Sequence, residues 1–126
     1  MIDQKKTVLI VEDEAPMQLA LNDILVFEGF SVLEAKNGEE GLEMALKEHP
    51  DLILLDILMP QMNGLVMLKK LREDEWGKKA EVIILTNYDE KEYVATALEN
   101  NTYDYFIKTD IKITEVIKKI KEKLEV

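Results

Sequence analysis

Five side chains suited to phosphate chemistry follow directly on short apolar runs of the sequence: Glu12, Asp13, Asp56, Thr86 and Lys108. A carboxylate can act as a nucleophile toward phosphorus, and such a transfer needs mainly positioning and neutralisation of charge. A hydroxyl and an ammonium group can hold the remaining phosphoryl oxygens. The residue types therefore fit an aspartate nucleophile together with two groups that bind phosphoryl oxygens.

Taken alone, three of these residues have simpler interpretations. Asp13 could cap the following helix, Thr86 could start a turn, and Lys108 could be a solvated lysine at a strand end. The three acids, however, would repel one another at close range unless a cation or a proton lies among them. Oxygen ligands without His or Cys suit Mg2+, which binds through one or two carboxylates and phosphate oxygens. The acids together favour an Mg2+ site.

The apolar runs predict the strands that position these residues. Four runs predict strands buried on both faces, at residues 8–11, 52–55, 82–85 and 105–107. A fifth segment, residues 31–35, carries a charge and is typical of an edge strand.

Five stretches with helical spacing lie between and after these strands. The first ends at Gly29 and the second stops before Pro50. Asp89 is predicted to cap the fourth helix, and the helical spacing of Val94, Ala97 and Leu98 places them toward the core.

Alternating strands and helices predict an α/β fold with a doubly wound parallel sheet and right-handed crossovers. The strand order 2-1-3-4-5 is common for five strands and is taken from known sheets of this kind. Ligands of such sheets bind outside the carboxyl ends of the strands, near the point where the strand order reverses. The five polar residues are therefore expected to converge at one edge of the sheet.

Length and composition predict a single domain. The chain has 126 residues, 47% hydrophobic and 33% charged, which excludes a disordered chain. It has no cysteines, so disulfides and thiolate sites are excluded. The net charge of −10 repels a phosphate backbone, so direct nucleic-acid binding is not expected. Without a signal-peptide pattern or an apolar run of about 18 residues, we expect a cytoplasmic protein that does not insert into membranes.

From about Lys6 to Leu124 the sequence resembles the receiver domains of response regulators in two-component signalling systems, in particular chemotaxis-regulator-like ones. The matching motifs are the acidic pair at 12–13, the segment 56–64 with its Met59-Pro60 turn, and the single residues after strands four and five. The resemblance implies a flavodoxin-like fold and a single receiver domain over residues 1–126, with its core at about 6–124.

The resemblance implies a metal-assisted acceptor site. Asp56 would be the phospho-acceptor and, with Asp13, a direct Mg2+ ligand. Glu12 would act mainly through a bound water molecule, and the backbone carbonyl of Leu58 would complete the protein ligands.

The same resemblance implies a phosphoryl-binding pair and a switch. Thr86 would bind a phosphoryl oxygen and move toward it, while Lys108 would pair with the phosphoryl group. Tyr105 lies where the family has an aromatic residue that turns inward when Thr86 moves. A plain edge-strand aromatic is the alternative for Tyr105.

Two positions depart from the commonest receiver pattern. Thr109 follows Lys108 where most receivers have a proline with a cis bond, so we expect either a trans bond with an altered loop or a strained cis bond. Asn87 is larger than the usual residue at its position and is expected to restrict approach to the acceptor.

Leu58 and Tyr88 are bulky residues that flank the acceptor site beside Met59 and Asn87. Neither Leu58 nor Tyr88 carries a carboxylate or amide that could orient an attacking water. The hypothesis that follows is a slowly hydrolysed phosphoryl group.

The resemblance also implies partners. A histidine kinase or phosphotransfer protein would supply the phosphoryl group, and an output protein or domain would bind the face of helix four, strand five and helix five. A phosphorylation-dependent dimer is consistent with this family. No enzymatic activity is expected beyond self-phosphorylation and self-dephosphorylation.

Three alternatives stay open at this point. An Mg2+-dependent phosphatase of the haloacid dehalogenase type also uses an aspartate nucleophile but wants an acid at position 58, where Leu58 stands. A flavodoxin-like electron carrier wants a phosphate-binding loop where residues 12–14 are all acidic. A receiver-like domain could signal without phosphorylation.

Overall fold

The computed structural model describes residues 5–126 and contains one five-stranded parallel sheet. Its strands are β1 (Thr7–Val11), β2 (Ser31–Ala35), β3 (Leu52–Leu55), β4 (Val82–Thr86) and β5 (Asp104–Ile107). They lie in the order β2-β1-β3-β4-β5, and every neighbouring pair is parallel. The predicted fold class and strand order are confirmed.

Five helices cover both faces of the sheet: α1 (Ala15–Phe27), α2 (Gly38–Glu48), α3 (Gly64–Arg72), α4 (Lys91–Glu99) and α5 (Ile113–Leu124). Helices α1 and α5 pack on one face, through residues such as Leu25 and Ile120. Helices α2, α3 and α4 pack on the other, through Ala45, Leu68 and Ala97. Each face therefore has its own apolar core, as a doubly wound sheet requires.

The central strands β1, β3 and β4 are buried on both faces almost throughout, because each has a strand on either side and helices above and below. The prediction of the same burial for residues 105–107 was wrong. All four residues of β5 are only half-buried. The physical reason is that β5 forms an edge of the sheet and pairs with β4 alone.

Two details of α4 also differ from expectation. The residue at its N-cap is Glu90 rather than Asp89, and no side chain caps this end of the helix. Leu98 is 49% exposed, whereas Ala97 is buried. Successive helical residues point about 100° apart, so only one of these two neighbours can face the core.

The described part of the chain contains no cis peptide bond, so the Lys108–Thr109 bond is trans. None of its helices has the length and apolar character that crossing a bilayer demands. The prediction about signal-peptide patterns depends partly on residues 1–4, which lie outside the described residues.

Candidate functional site

The three acids predicted to hold a metal lie together at the carboxyl ends of β1 and β3. Because Val11 pairs with Leu55 in the parallel register, the residues that follow these strands emerge side by side. One carboxylate oxygen from each of Glu12, Asp13 and Asp56 lies within 4.8 Å of the others. Three converging carboxylates and no nitrogen or sulfur donor form a set that suits a hard cation such as Mg2+.

Glu12 and Asp56 are nearly inaccessible, with 3% and 5% exposure, whereas Asp13 is exposed. Backbone hydrogen bonds fix both buried acids: the Asp56 amide donates to the carbonyl of Val11, and the Glu12 amide donates to Ala35, each at 3.0 Å. The Asp56 Oδ1 also accepts from the amide of Ile57 at 2.8 Å. Backbone hydrogen bonds therefore hold the two buried acids at the end of the sheet.

Gln18 of α1 supports this anchor and was missed by sequence reasoning. Its buried side-chain amide donates to the carbonyls of Glu12 at 3.2 Å and Ala35 at 3.0 Å. It thereby joins α1 to the ends of β1 and β2. The sequence gives no signal for this contact beyond a polar residue on a mostly apolar helix.

Lys108 reaches the acids from the far side of β4, as predicted. Its Nζ lies 2.8 Å from Glu12 and 3.3 Å from Asp56, and its side chain is only 5% exposed. The simpler interpretation as a solvated lysine was therefore wrong. The backbone amide of Lys108 donates to the carbonyl of Thr86 at 2.7 Å, which fixes the start of its loop to β4.

A fourth acid, Glu14, joins the site and was not predicted. Its Oε1 lies 2.9 Å from the Nζ of Lys108. Its position as the third of three consecutive acids was the available signal, but a residue at a helix start is normally assigned to the helix. The N-cap of α1 is Glu14 and makes no side-chain capping bond. Asp13 does not occupy this N-cap, so the simpler interpretation of Asp13 as the cap was also wrong.

Burial and the neighbouring charges together shift two pKa values in the site. Burial raises the pKa of Glu12 to about 7, although the hydrogen bond with Lys108 opposes this and the charge of Asp56 adds to it. Burial by itself lowers the pKa of Lys108. Hydrogen bonds with Glu12 and Glu14 and the charge of Asp56 outweigh burial, so the pKa of Lys108 lies above its usual range. Lys108 is therefore held as a cation.

Thr86 is the last residue of β4 and is fully buried. Its Oγ1 is a buried polar atom that has no hydrogen-bond partner among the described residues. Buried hydroxyls normally have partners, so an orphan at this edge fits a group that binds a ligand oxygen. Thr86 is thus part of the strand, one residue beyond the predicted run of 82–85, and does not begin a turn.

The residues predicted to flank the site differ in their exposure. Leu58 and Tyr88 are 39% and 37% exposed, Asn87 is exposed, and Met59 is half-buried against the core. The phenol of Tyr105 donates a hydrogen bond to the backbone carbonyl of Tyr88. Tyr105 is thus joined to the loop after Thr86, and its role as a switch stays a prediction.

Comparisons with known proteins identify the family. The response regulator receiver domain family matches residues 8–121. Sporulation initiation phosphotransferase F of Bacillus subtilis is 34% identical over 114 residues, which cover 89% of this chain and 90% of that protein. Several other matching relatives are longer proteins, of which the chain spans between 9% and 45%.

Solved structures of receiver domains are similar to this chain. A CheY-like response regulator receiver domain protein from Methanospirillum hungatei is similar with a TM-score of 0.88 and 31% identity, covering 97% of this chain and 95% of that one. A chain of the CheX–CheY–BeF3–Mg2+ complex from Borrelia burgdorferi is similar with a TM-score of 0.83 and 27% identity, covering 93% and 87%. With this fold, these motifs and a family match over most of its length, the chain belongs to the response regulator receiver domain family of two-component signalling.

Proposed function

We propose that Asp56 is the phospho-acceptor of this receiver domain and that the acidic set around it binds Mg2+. The observation that carries the proposal is the environment of Asp56. Its buried carboxylate lies 3.3 Å from the Lys108 ammonium and beside the carboxylates of Glu12 and Asp13. Aspartate phosphorylation and Mg2+ binding are general properties of the family. The CheX–CheY–BeF3–Mg2+ complex from Borrelia burgdorferi supports the same chemistry in a similar fold.

In the proposed reaction, an oxygen of Asp56 attacks the phosphorus of a phosphohistidine on a histidine kinase or phosphotransfer protein. The new P–O bond forms as the P–N bond breaks, and the bonding electrons leave with the imidazole. Mg2+, when bound by Glu12, Asp13, Asp56 and the carbonyl of Leu58, supplies charge neutralisation.

Lys108 and Thr86 provide the rest of the binding site in this proposal. The Lys108 ammonium holds one phosphoryl oxygen, and the orphan hydroxyl of Thr86 donates to another. Movement of Thr86 toward the phosphoryl group then pulls on the loop whose Tyr88 carbonyl is bonded to Tyr105. This coupling would change the partner-binding face formed by α4, β5 and α5.

We further propose that residues 1–126 act as one receiver unit, whose only chemistry is its own phosphorylation and dephosphorylation. The phosphatase alternative is disfavoured because Leu58 offers no second acid after the nucleophile. An output protein or domain is expected at the α4–β5–α5 face, which exposes Leu98 and bears half-buried Tyr105.

The test is intact mass spectrometry after incubation with acetyl phosphate and Mg2+. The natural chain is expected to gain one phosphoryl group, and Asp56→Asn or addition of EDTA should abolish the gain. Asp23→Asn, the same change at an exposed position on α1, is the matched control and should leave the gain unchanged. An adduct that persists in Asp56→Asn would overturn the assignment, as would a natural chain that neither gains mass nor binds beryllofluoride.

A further inference from the structure

Glu14 is the one acid at the site to which the proposed reaction gives no role. Its carboxylate lies 2.9 Å from the Nζ of Lys108, a residue 94 positions away in the chain. The Glu14 side chain is 57% exposed, while that of Lys108 is 5% exposed. Glu14 therefore approaches Lys108 from the solvent side, where an incoming phosphoryl group would also have to approach.

The Lys108 ammonium has three protons and three carboxylate neighbours, so its donors are fully used. Glu12, Glu14 and Asp56 lie at 2.8, 2.9 and 3.3 Å from Nζ. Phosphorylation removes the charge of the Asp56 carboxylate and with it the longest of the three contacts. The new anionic phosphoryl group must then share the Lys108 ammonium with Glu12 and Glu14. The glutamate whose ion pair with Lys108 breaks at the lower cost in free energy is the one that moves away.

Glu14 is the more exposed of the two glutamates and can leave Lys108 at the lower cost in free energy. Glu12 is 3% exposed, and a buried carboxylate that loses its cation is left as an uncompensated charge, which is strongly unfavourable. Glu14 is more than half exposed, so water can replace the ion pair at little cost. Its backbone amide, which donates to the Glu12 carboxylate at 3.1 Å, can stay in place while the side chain swings away.

We infer that Glu14 is a positioning residue that competes with the phosphoryl group for Lys108 and thereby limits how readily Asp56 takes up an anionic phosphoryl group. The inference rests on the proposed function of Asp56 as acceptor. Two effects act in the same direction: Glu14 occupies the ammonium that the phosphoryl group needs, and its negative charge repels an anionic donor. Nothing in the capping of α1 requires the Glu14 side chain, because it makes no capping bond there.

The decisive variant is Glu14→Gln, which keeps the size of the side chain and removes its charge. With acetyl phosphate and saturating Mg2+, the rate of phosphorylation is expected to rise about two- to fivefold, the range for one partly exposed ion pair. The affinity for beryllofluoride in Mg2+ should rise by a similar factor, and both gains should shrink at high ionic strength because exposed charges are screened. A merely structural role of Glu14 would produce none of these responses.

Glu73→Gln is the matched control, since Glu73 is exposed at the end of α3 and its side chain makes no contact with the described ion pairs. This variant should show the natural rate and affinity. Unchanged or lower rate and affinity in Glu14→Gln, with uptake on Asp56 intact in the natural chain, would overturn the inference alone. Phosphorylation that does not depend on Asp56 would instead overturn the proposed function, so the two failures are distinguishable.

Discussion

Gly64 lies so close to Asp56 that a methyl group on its α-carbon would overlap the backbone carbonyl oxygen of Asp56. The amide of Gly64 also donates to the carbonyl of Ile57 at 2.6 Å, which closes the loop after the acceptor. Gly64 does not have a positive φ, so glycine is needed here because the two backbone segments lie close together and not because of an unusual backbone conformation. The start of α3 is thereby held directly against the proposed acceptor.

Gly64→Ala is therefore expected to move the backbone of Asp56. Relief of the overlap should lower the free energy of unfolding by about 1 to 3 kcal/mol, the usual cost of overpacking, and slow phosphorylation. Gly29→Ala is the control: Gly29 has open space but a φ of +97°, so it should lose about 1 kcal/mol and keep its phosphorylation rate. Urea unfolding and acetyl phosphate kinetics measure both. Equal phosphorylation rates in the two variants would contradict the predicted role.

The sheet and the convergence of the main site residues were predictable from the sequence pattern together with the strand order of known sheets. Continuous apolar runs mark the central strands, and the carboxyl ends of parallel strands meet at one edge whatever the details of packing. This is why Asp56, Thr86 and Lys108 converge as expected. The burial of an edge strand is harder to predict from its own sequence. β5 is only half-buried because it lacks a neighbour on one side, and the strand order, not the apolar run, shows which strand lies at the edge.

Contacts between long side chains were not predictable. Glu14 could have pointed to solvent, and only the placement of Lys108, directly after a strand that is distant in the sequence, brings Glu14 into the site. The stacking of His49 on Trp76, with ring centroids 4.3 Å apart, likewise depends on how two loops meet. The exposure of Leu98 depends on a rotation of α4 that apolar spacing over nine residues does not define.

The phenol of Tyr105 is expected to ionise at a higher pH than an ordinary tyrosine. Burial raises its pKa to about 12, and the nearby charges of Glu90 and Asp89 add to the shift. Ultraviolet absorbance of phenolate, recorded for the natural chain and for Tyr105→Phe, gives a difference curve whose midpoint should lie near pH 12.

The same shift has a consequence for stability. Because the folded pKa of Tyr105 lies above its ordinary value of 10, the neutral phenol stabilises the fold fully below pH 10, and this contribution is lost as the pH rises toward 12. Tyr105→Phe should therefore reduce the fall in stability over that interval. A difference curve with its midpoint at pH 10 would contradict both expectations.

Lys123 joins α5 to two strands near their amino ends. Its Nζ lies 3.1 Å from Glu81 and 2.6 Å from Asp104. Lys123→Met keeps most of the apolar side chain. The expected decrease of about 1 kcal/mol in the free energy of unfolding therefore measures the contribution of the two ion pairs. Lys119→Met is the control, because Lys119 has only a 3.8 Å contact with Glu122 on the same helix. Urea unfolding should show almost no loss for the control, and equal losses would exclude a special role for Lys123.

The lifetime of the phosphoryl group is expected to depend on Tyr88. Tyr88 and Leu58 follow Thr86 and Asp56 by two residues, are each more than a third exposed, and carry no carboxylate or amide that could orient water. Tyr88→Ala removes the ring but keeps the carbonyl to which Tyr105 donates. Water should then reach the phosphoryl group more easily, and labelled phosphoprotein should decay faster.

Tyr103→Ala is the matched control for this change, since Tyr103 is 70% exposed and precedes β5 at the opposite edge of the sheet. Its phosphoprotein should decay at the natural rate after the free donor is removed. Faster decay in Tyr88→Ala alone would show that the ring shields the aspartyl phosphate from water. Equal decay in all three proteins would contradict the hypothesis that Tyr88 prolongs the life of the phosphoryl group.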